Sequence, residues 1–313
     1  MLKSVSLIIL FQVVCWASLS AQFARPSTYV RVTNANDMYY KPLKTDKYFT
    51  NGVDIEVGRQ RLRVPGWRVT GRIRETSFLR LTQNIYTPVA IEETKLLTND
   101  RPFASTLHLA HGKELLDEAI GFRFRRVFTA GILGRPAQGE WAQNWFHGLV
   151  PWAEEVPGWR HQVKTDVILN YQLGMSKLFR SNRRTALELG FDGRLGTLNT
   201  DLSFFSRALW RIIGDYDKQV ALTLELQGSA RAVGYDATLS GGLLNRDDRF
   251  RSVIKPERLV LQGGFAAQLA VGRLQLGTGV TYLRPEFKGG WSHVWAYWSA
   301  GYWITGSRRN THP

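Results

Sequence analysis

Apolar and polar residues alternate with a period of two along most of this chain. Between Gln219 and Gln227, Val220, Leu222, Leu224 and Leu226 fall on one face, and Gln219, Thr223, Glu225 and Gln227 on the other. Leu259, Leu261, Phe265, Ala267 and Leu269 alternate in the same way with Arg258, Gln262 and Gln268. Near the end, Val294, Ala296, Trp298, Ala300, Tyr302 and Ile304 oppose His293, Ser299 and Gly301. Such alternation is the signature of half-buried strands joined by tight turns. It predicts about twelve strands, beginning near residues 27, 52, 69, 103, 118, 161, 185, 202, 217, 257, 272 and 292. No internal repeat or linker divides them, so one all-β domain is expected over residues 22–313.

A soluble sandwich alternates too, and the chain's beginning tilts the balance. Lys3, the apolar run Val5 to Ala17 and small residues ending at Ala21 have the order of a secretory signal peptide, residues 1–21. That apolar run is short for a bilayer-spanning helix. Cys15, the only cysteine, would leave with the signal, so the exported chain would carry no disulfide. Eleven tryptophans, many near strand ends, suit the aromatic girdles of a membrane barrel. An antiparallel transmembrane β-barrel of about twelve strands in the bacterial outer membrane follows, with both termini on the periplasmic side.

That topology sends the connections after odd-numbered strands outward. They are the long ones, 38–49, 85–102, 132–160 and 232–256, whereas connections after even strands are mostly short. Two polar knots, Asn36-Asp37 and Thr45 to Gly52, therefore gather at the outer rim. The formal charge of +15 includes Lys3, leaving +14 after the signal. Such an excess favours an anionic partner: nucleic acid, a membrane surface or a phosphorylated glycolipid. Export and alternating strands argue against nucleic acid. Lys41, Lys44, Lys47, Arg101 and Arg135 are placed to meet phosphates from outside, while "GRQRLRVPGWRVTGRIR" falls around a periplasmic turn.

Candidate chemistry collects in the outward loops. His147, in "AQNWFH", has Gln143 and Asn144 before it and Glu154 and Glu155 after it. An imidazole there can take a proton from water, although a surface histidine is the plainer reading. The loop at 36–52 offers Asp37, Asp46, hydroxyls and carbonyls, hard donors that suit calcium better than zinc; ordinary turn chemistry also places such residues in loops. His108 and His111, three apart in a strand, point to opposite faces and make a poor metal pair. No GxSxG elbow, P-loop or CxxC pair occurs, so a serine nucleophile has no local signature.

Taken in order, Asn36-Asp37, "TDKYFTNG" (45–52), "NDRPFA" (99–104), "AQNWFH" (142–147), "GWRHQ" (158–162) and "GYDATLSGG" (234–242) resemble the outer-membrane lipid A 3'-O-deacylase family. The resemblance implies a twelve-stranded barrel that removes the 3'-linked acyloxyacyl group of lipid A in a calcium-dependent reaction. His147 matches its general base. Asn36, Asp37 and Thr50 match polar active-site positions, and Asp37 with Glu154 would hold Ca2+, Glu155 competing for the acidic position. Lipopolysaccharide is the implied substrate, outer-membrane lipids the surroundings, and a monomer is expected. "NDRPFAST" carries Ser105 where relatives often have Gly. Two rivals stand beside this reading: an outer-membrane phospholipase with a Ser–His pair, and a non-enzymatic barrel serving as channel or adhesion scaffold.

Overall fold

A computed structural model describes residues 27–40, 47–63, 72–148, 156–214 and 220–305. The predicted signal peptide, Lys41, Lys44, Asp46, Glu154 and Glu155 lie outside the described residues. Twelve antiparallel strands close into a barrel in which each pairs with its sequence neighbours and the last pairs with the first. They are β1 (Ser27–Asn36), β2 (Tyr48–Arg63), β3 (Ile73–Thr87), β4 (Ala104–Asp117), β5 (Phe122–Leu133), β6 (Asp166–Arg180), β7 (Thr185–Gly196), β8 (Asn199–Ile213), β9 (Val220–Asp236), β10 (Leu259–Val271), β11 (Leu274–Leu283) and β12 (His293–Thr305). Closure through the pairing of Val32 with Ala300 leaves no strand edge exposed, as a bilayer demands.

The two faces of each strand have opposite chemistry. Leu79, Leu81, Leu109, Phe128, Leu169, Leu173, Phe265 and Trp298 are exposed on the outside, the band that meets lipid in the outer membrane. His111 shares that outward exposure, whereas His108 turns inward, as the spacing predicts. Inside, charges are paired at close range. The Tyr29 hydroxyl donates to Glu56 at 2.8 Å, and Arg80 Nε donates to the same carboxylate at 2.8 Å. Farther round, Glu188 accepts from Ser176 at 2.6 Å and pairs with Arg123 at 3.0 Å, while Arg207 pairs with Glu225 at 3.0 Å. Gly58, across from Tyr29, makes room for that ring: a Cβ there would lie 2.3 Å from it. Between these pairs a cavity of about 260 Å³ remains, lined by Arg194, Asp201, Arg207, Gln227, Arg231 and Gln262 among others.

Turns distinguish the two ends. Gly272, at φ +54°, takes the first place of a two-residue turn joining β10 to β11, where a II′ turn needs positive φ. The opposite end carries the long segments, which fold back on the barrel. Helices α1 (Gly139–His147), α2 (Ala237–Ser240) and α3 (Asp248–Arg251) belong to them. Helix α1 lies within a stretch that the alternation reads only as a loop; a nine-residue helix is too short for its period to stand out there.

An apolar cluster fills the barrel mouth at this end: Tyr48, Leu133, Val163, Ile168, Leu239, Phe250, Ile254 and Phe287 are buried against one another. Side-chain and backbone bonds tie the long segments together above it. Asp247 accepts from the Lys164 amide at 3.0 Å, and Asp166 from those of Leu244 and Asn245 at 2.8 and 3.1 Å. Burial would raise the Asp247 carboxyl, but Arg249 and the Lys164 amide outweigh it and hold it below its ordinary value.

Candidate active site

The polar corner starts at the end of β1. Asn34 and Asn36 lie on the opposite face from Tyr29, whose hydroxyl reaches the interior, so they belong to the outward wall. Asn36 pairs in register with Asn51 of β2. The Asn51 side-chain oxygen accepts from Asn34 Nδ2 at 2.8 Å and from Asn36 Nδ2 at 3.4 Å. Asn36 also caps the 3-10 turn Asp37–Tyr39, its Oδ1 accepting from the Met38 amide at 2.8 Å. That turn folds over the outer wall. The Tyr39 hydroxyl donates to Asn34 Oδ1 and accepts from the exposed Trp298 indole at 3.2 Å. Asp37 is thereby buried, 1 % exposed, and its Oδ2 accepts from the Lys47 amide at 3.1 Å.

Thr50 sits in a strand, where the sequence placed it at a loop end. The ladder between β2 and β3 shifts between Phe49 and Asn51, making Thr50 the extra residue of a bulge. A bulge bends its strand and re-aims one side chain. Here it leaves Thr50 buried, with its hydroxyl 2.6 Å from that of Thr87.

His147 arrives on α1, which rides on the outside of β3 and β4. Gln83 Nε2 donates to the Ala137 carbonyl at 2.7 Å just ahead of the helix. Gly139 packs so closely on Ser105 and Trp159 that a Cβ would meet them at 2.5 and 2.7 Å. Ser105 is thus the floor under a helical glycine. Gln143 Oε1 accepts from the Trp159 indole at 2.7 Å, and Asn144 Oδ1 from the Val156 amide at 3.0 Å. Ile85, Phe103, Val156 and Trp159 form the apolar seat, with Ala142 packed on it. Gly139, Gln143 and His147 recur every fourth residue and make the buried face; His147 is 9 % exposed.

Asn36, Asp37 and Thr50 are therefore gathered at the mouths of β1 and β2, and His147 is brought to the same end of the barrel on a helix over β3. Asn51, expected beside Thr50 in the polar knot, stands in register opposite Asn36. His161 lies apart in the 3-10 turn Pro157–His161, its Nε2 3.0 Å from the Thr94 carbonyl. Arg101 departs from expectation. It points into the barrel mouth, 1 % exposed, paired with Glu286, donating to Thr238 at 2.6 Å and lying 4.3 Å over the Tyr86 ring. Burial works against its charge, but Glu286 and Asp236 more than compensate and raise its pKa. Reciprocally, burial would raise Glu286, yet Arg101 and Arg231 hold it below its ordinary value. Arg135 is exposed, as a phosphate contact requires.

Among the described residues, no three His, Cys, Asp or Glu side chains cluster as a metal site. The fit for a hard cation rests on donor type. Asp37 supplies a carboxylate, and Asn36, Thr50 and Asn51 bring amide and hydroxyl oxygens to the same corner. Oxygen donors of this kind suit calcium.

A family model described as "Outer membrane protein LpxR" matches residues 5–300. Among solved structures, LpxR from Salmonella typhimurium is 15 % identical, covers 88 % of this chain and 100 % of its own, and superposes with a TM-score of 0.72. At that identity the likeness speaks to the fold. The β domain of the Bordetella autotransporter Brka (10 % identity, 89 % and 97 % coverage, TM-score 0.42) and the translocator domain of the Neisseria meningitidis autotransporter NalP (9 %, 96 % and 97 %, 0.44) are more distant. No curated protein matches the sequence.

Proposed function

The chain belongs to the LpxR family of outer-membrane proteins, and from that premise we propose that it is an esterase that removes the 3'-linked acyloxyacyl group of lipid A. One observation carries the reading: Asn36, Asp37, Asn51 and the His147 helix are mounted on the outward wall, where a lipid substrate lies. His147 takes a proton from water as it attacks the ester carbonyl; the acyl C–O bond then breaks and the imidazolium returns the proton to the departing sugar hydroxyl. The seat of α1 on Ile85, Phe103 and Trp159, through Ala142, fixes the helix whose buried face carries the imidazole. Asn36 and Thr50 orient the polar end of the substrate. Asp37, with Glu154 and the amide and hydroxyl oxygens of the corner, would hold calcium, which would supply positive charge at the ester carbonyl. A hydrolytic water needs no serine, in keeping with the missing elbow.

Mass spectrometry of lipid A from cells with and without the protein tests the reaction. Loss of the 3'-linked acyl group only when the protein is present is expected; unchanged lipid A with glycerophospholipid cleavage would favour the phospholipase. The apolar fill of the mouth weighs against a channel. Planar-bilayer recordings should accordingly give no unitary conductance.

A further inference from the structure

Helix α1 has two faces of opposite character. Its buried face carries His147. On the other side Trp141 and Trp145, one turn apart, are 63 % and 58 % exposed, with rings stacked 6.2 Å apart at 16°. Two stacked indoles held open to water would be a costly surface for a monomer, and such patches mark a contact site.

The position of the helix says what covers them. Strands β3 and β4, on whose outward wall α1 rides, carry exposed Leu79, Leu81 and Leu109 farther along the same faces. The indole pair thus continues the lipid-facing band to its long-loop end, where a girdle of tryptophans sits at head-group level. Arg135, exposed just before the helix, is available to anionic head groups.

We propose that Trp141 and Trp145 form an interfacial anchor, seated in outer-leaflet lipid at the boundary of head groups and acyl chains. The anchor holds the α1 side of the barrel in the layer from which a lipid substrate reaches the corner. Its consequence for catalysis rests on the esterase reading; the anchoring itself does not.

The full-length protein is reconstituted in vesicles of phosphatidylcholine and phosphatidylglycerol that contain brominated phosphatidylcholine. The fluorescence difference between wild type and Trp141→Phe/Trp145→Phe isolates the pair. That signal should be quenched by bromolipid, more strongly by chains brominated at upper carbons than near the terminal methyl. Quenching by aqueous acrylamide alone, or protection that follows protein concentration instead of bromolipid, would overturn the anchor. In the second arm, Trp141→Ala/Trp145→Ala should raise KM for vesicle-presented lipid A about tenfold with little change in kcat, the mark of lost uniform binding. Detergent-dispersed lipid A should be cleaved as by wild type. Equal KM values in vesicles would refute the positioning role. A wild type inactive on lipid A would refute the esterase reading and leave the quenching result standing.

Discussion

The interior of this barrel and its outer wall use the same polar residue types for different ends. Inside, nearly every charge named above has a partner of opposite sign: Glu56 with Arg80, Glu188 with Arg123 and Arg207, Asp201 with Arg194, Glu286 with Arg101 and Arg231. An apolar fill shuts the mouth above them. On the outer wall, Asn36 and Asn51 meet beside the buried Asp37, and α1 brings a histidine to the same end. The contrast is one of placement: lumenal pairs hold the walls together, while the corner proposed for the chemistry lies on the lipid-facing side. The lumenal pairs cancel one for one, so the net positive charge of the chain is carried by the basic residues left over from them.

The sharpest break of the comparison is His147→Ala. Removing the base should cut deacylation about 10²–10⁴-fold, while the folded barrel still shifts on heating in gels. His161→Ala, set apart in its own 3-10 turn beside Thr94 and Arg160, should stay near wild type. Equal turnover by wild type and a folded His147→Ala protein would remove the outer wall's claim to the chemistry.

Arg101→Ala attacks the interior instead. It leaves Glu286 with Arg231 alone at 3.3 Å; breaking a buried pair from one side costs about 3–5 kcal/mol, and the remaining partner puts the loss toward the lower figure. The midpoint of unfolding in urea should fall accordingly. A variant as stable as wild type would mean that the mouth does not depend on this pair.

Acid should probe the same pair more gently. The Glu286 carboxyl is held below its ordinary value of 4.5, so its contribution is full above that pH and is lost as pH falls through its depressed folded value. Asp247 should act in the same direction between its ordinary 3.8 and its own lowered value. Wild type should therefore lose more stability on acidification than Glu286→Gln; parallel curves would contradict the assignment.

Calcium should separate the regions by ligand. Chelator should abolish activity and added calcium restore it, with magnesium and zinc less effective, while lumenal stability is unchanged. Full activity in excess chelator would remove the metal from the corner. The smallest effect belongs to Gln83→Leu, which loses one bond to the Ala137 carbonyl, about 1 kcal/mol, and should lower turnover modestly through a looser α1 without altering barrel unfolding.

The alternation by itself determined the twelve strands, their antiparallel order and the split between long and short connections, because a period of two is a local property. Strand starts read from it fall within a few residues of those in the structure: 27 for Ser27, 185 for Thr185, 292 for His293. The ordered polar motifs likewise pointed to the family. Closure decided the rest. Arg101 lies in the connection between β3 and β4, which has no period to give its side chain a direction; it read as a rim cation, and only the fold-back of that segment onto Thr238 and Glu286 turned it into the mouth. Thr50 read as a loop residue because a bulge is a mismatch between two strands and is invisible in either alone. Asn51 gained its place from its register opposite Asn36, and His147 its burial from a helix whose seat, Ile85, Phe103 and Trp159, comes from three separate segments.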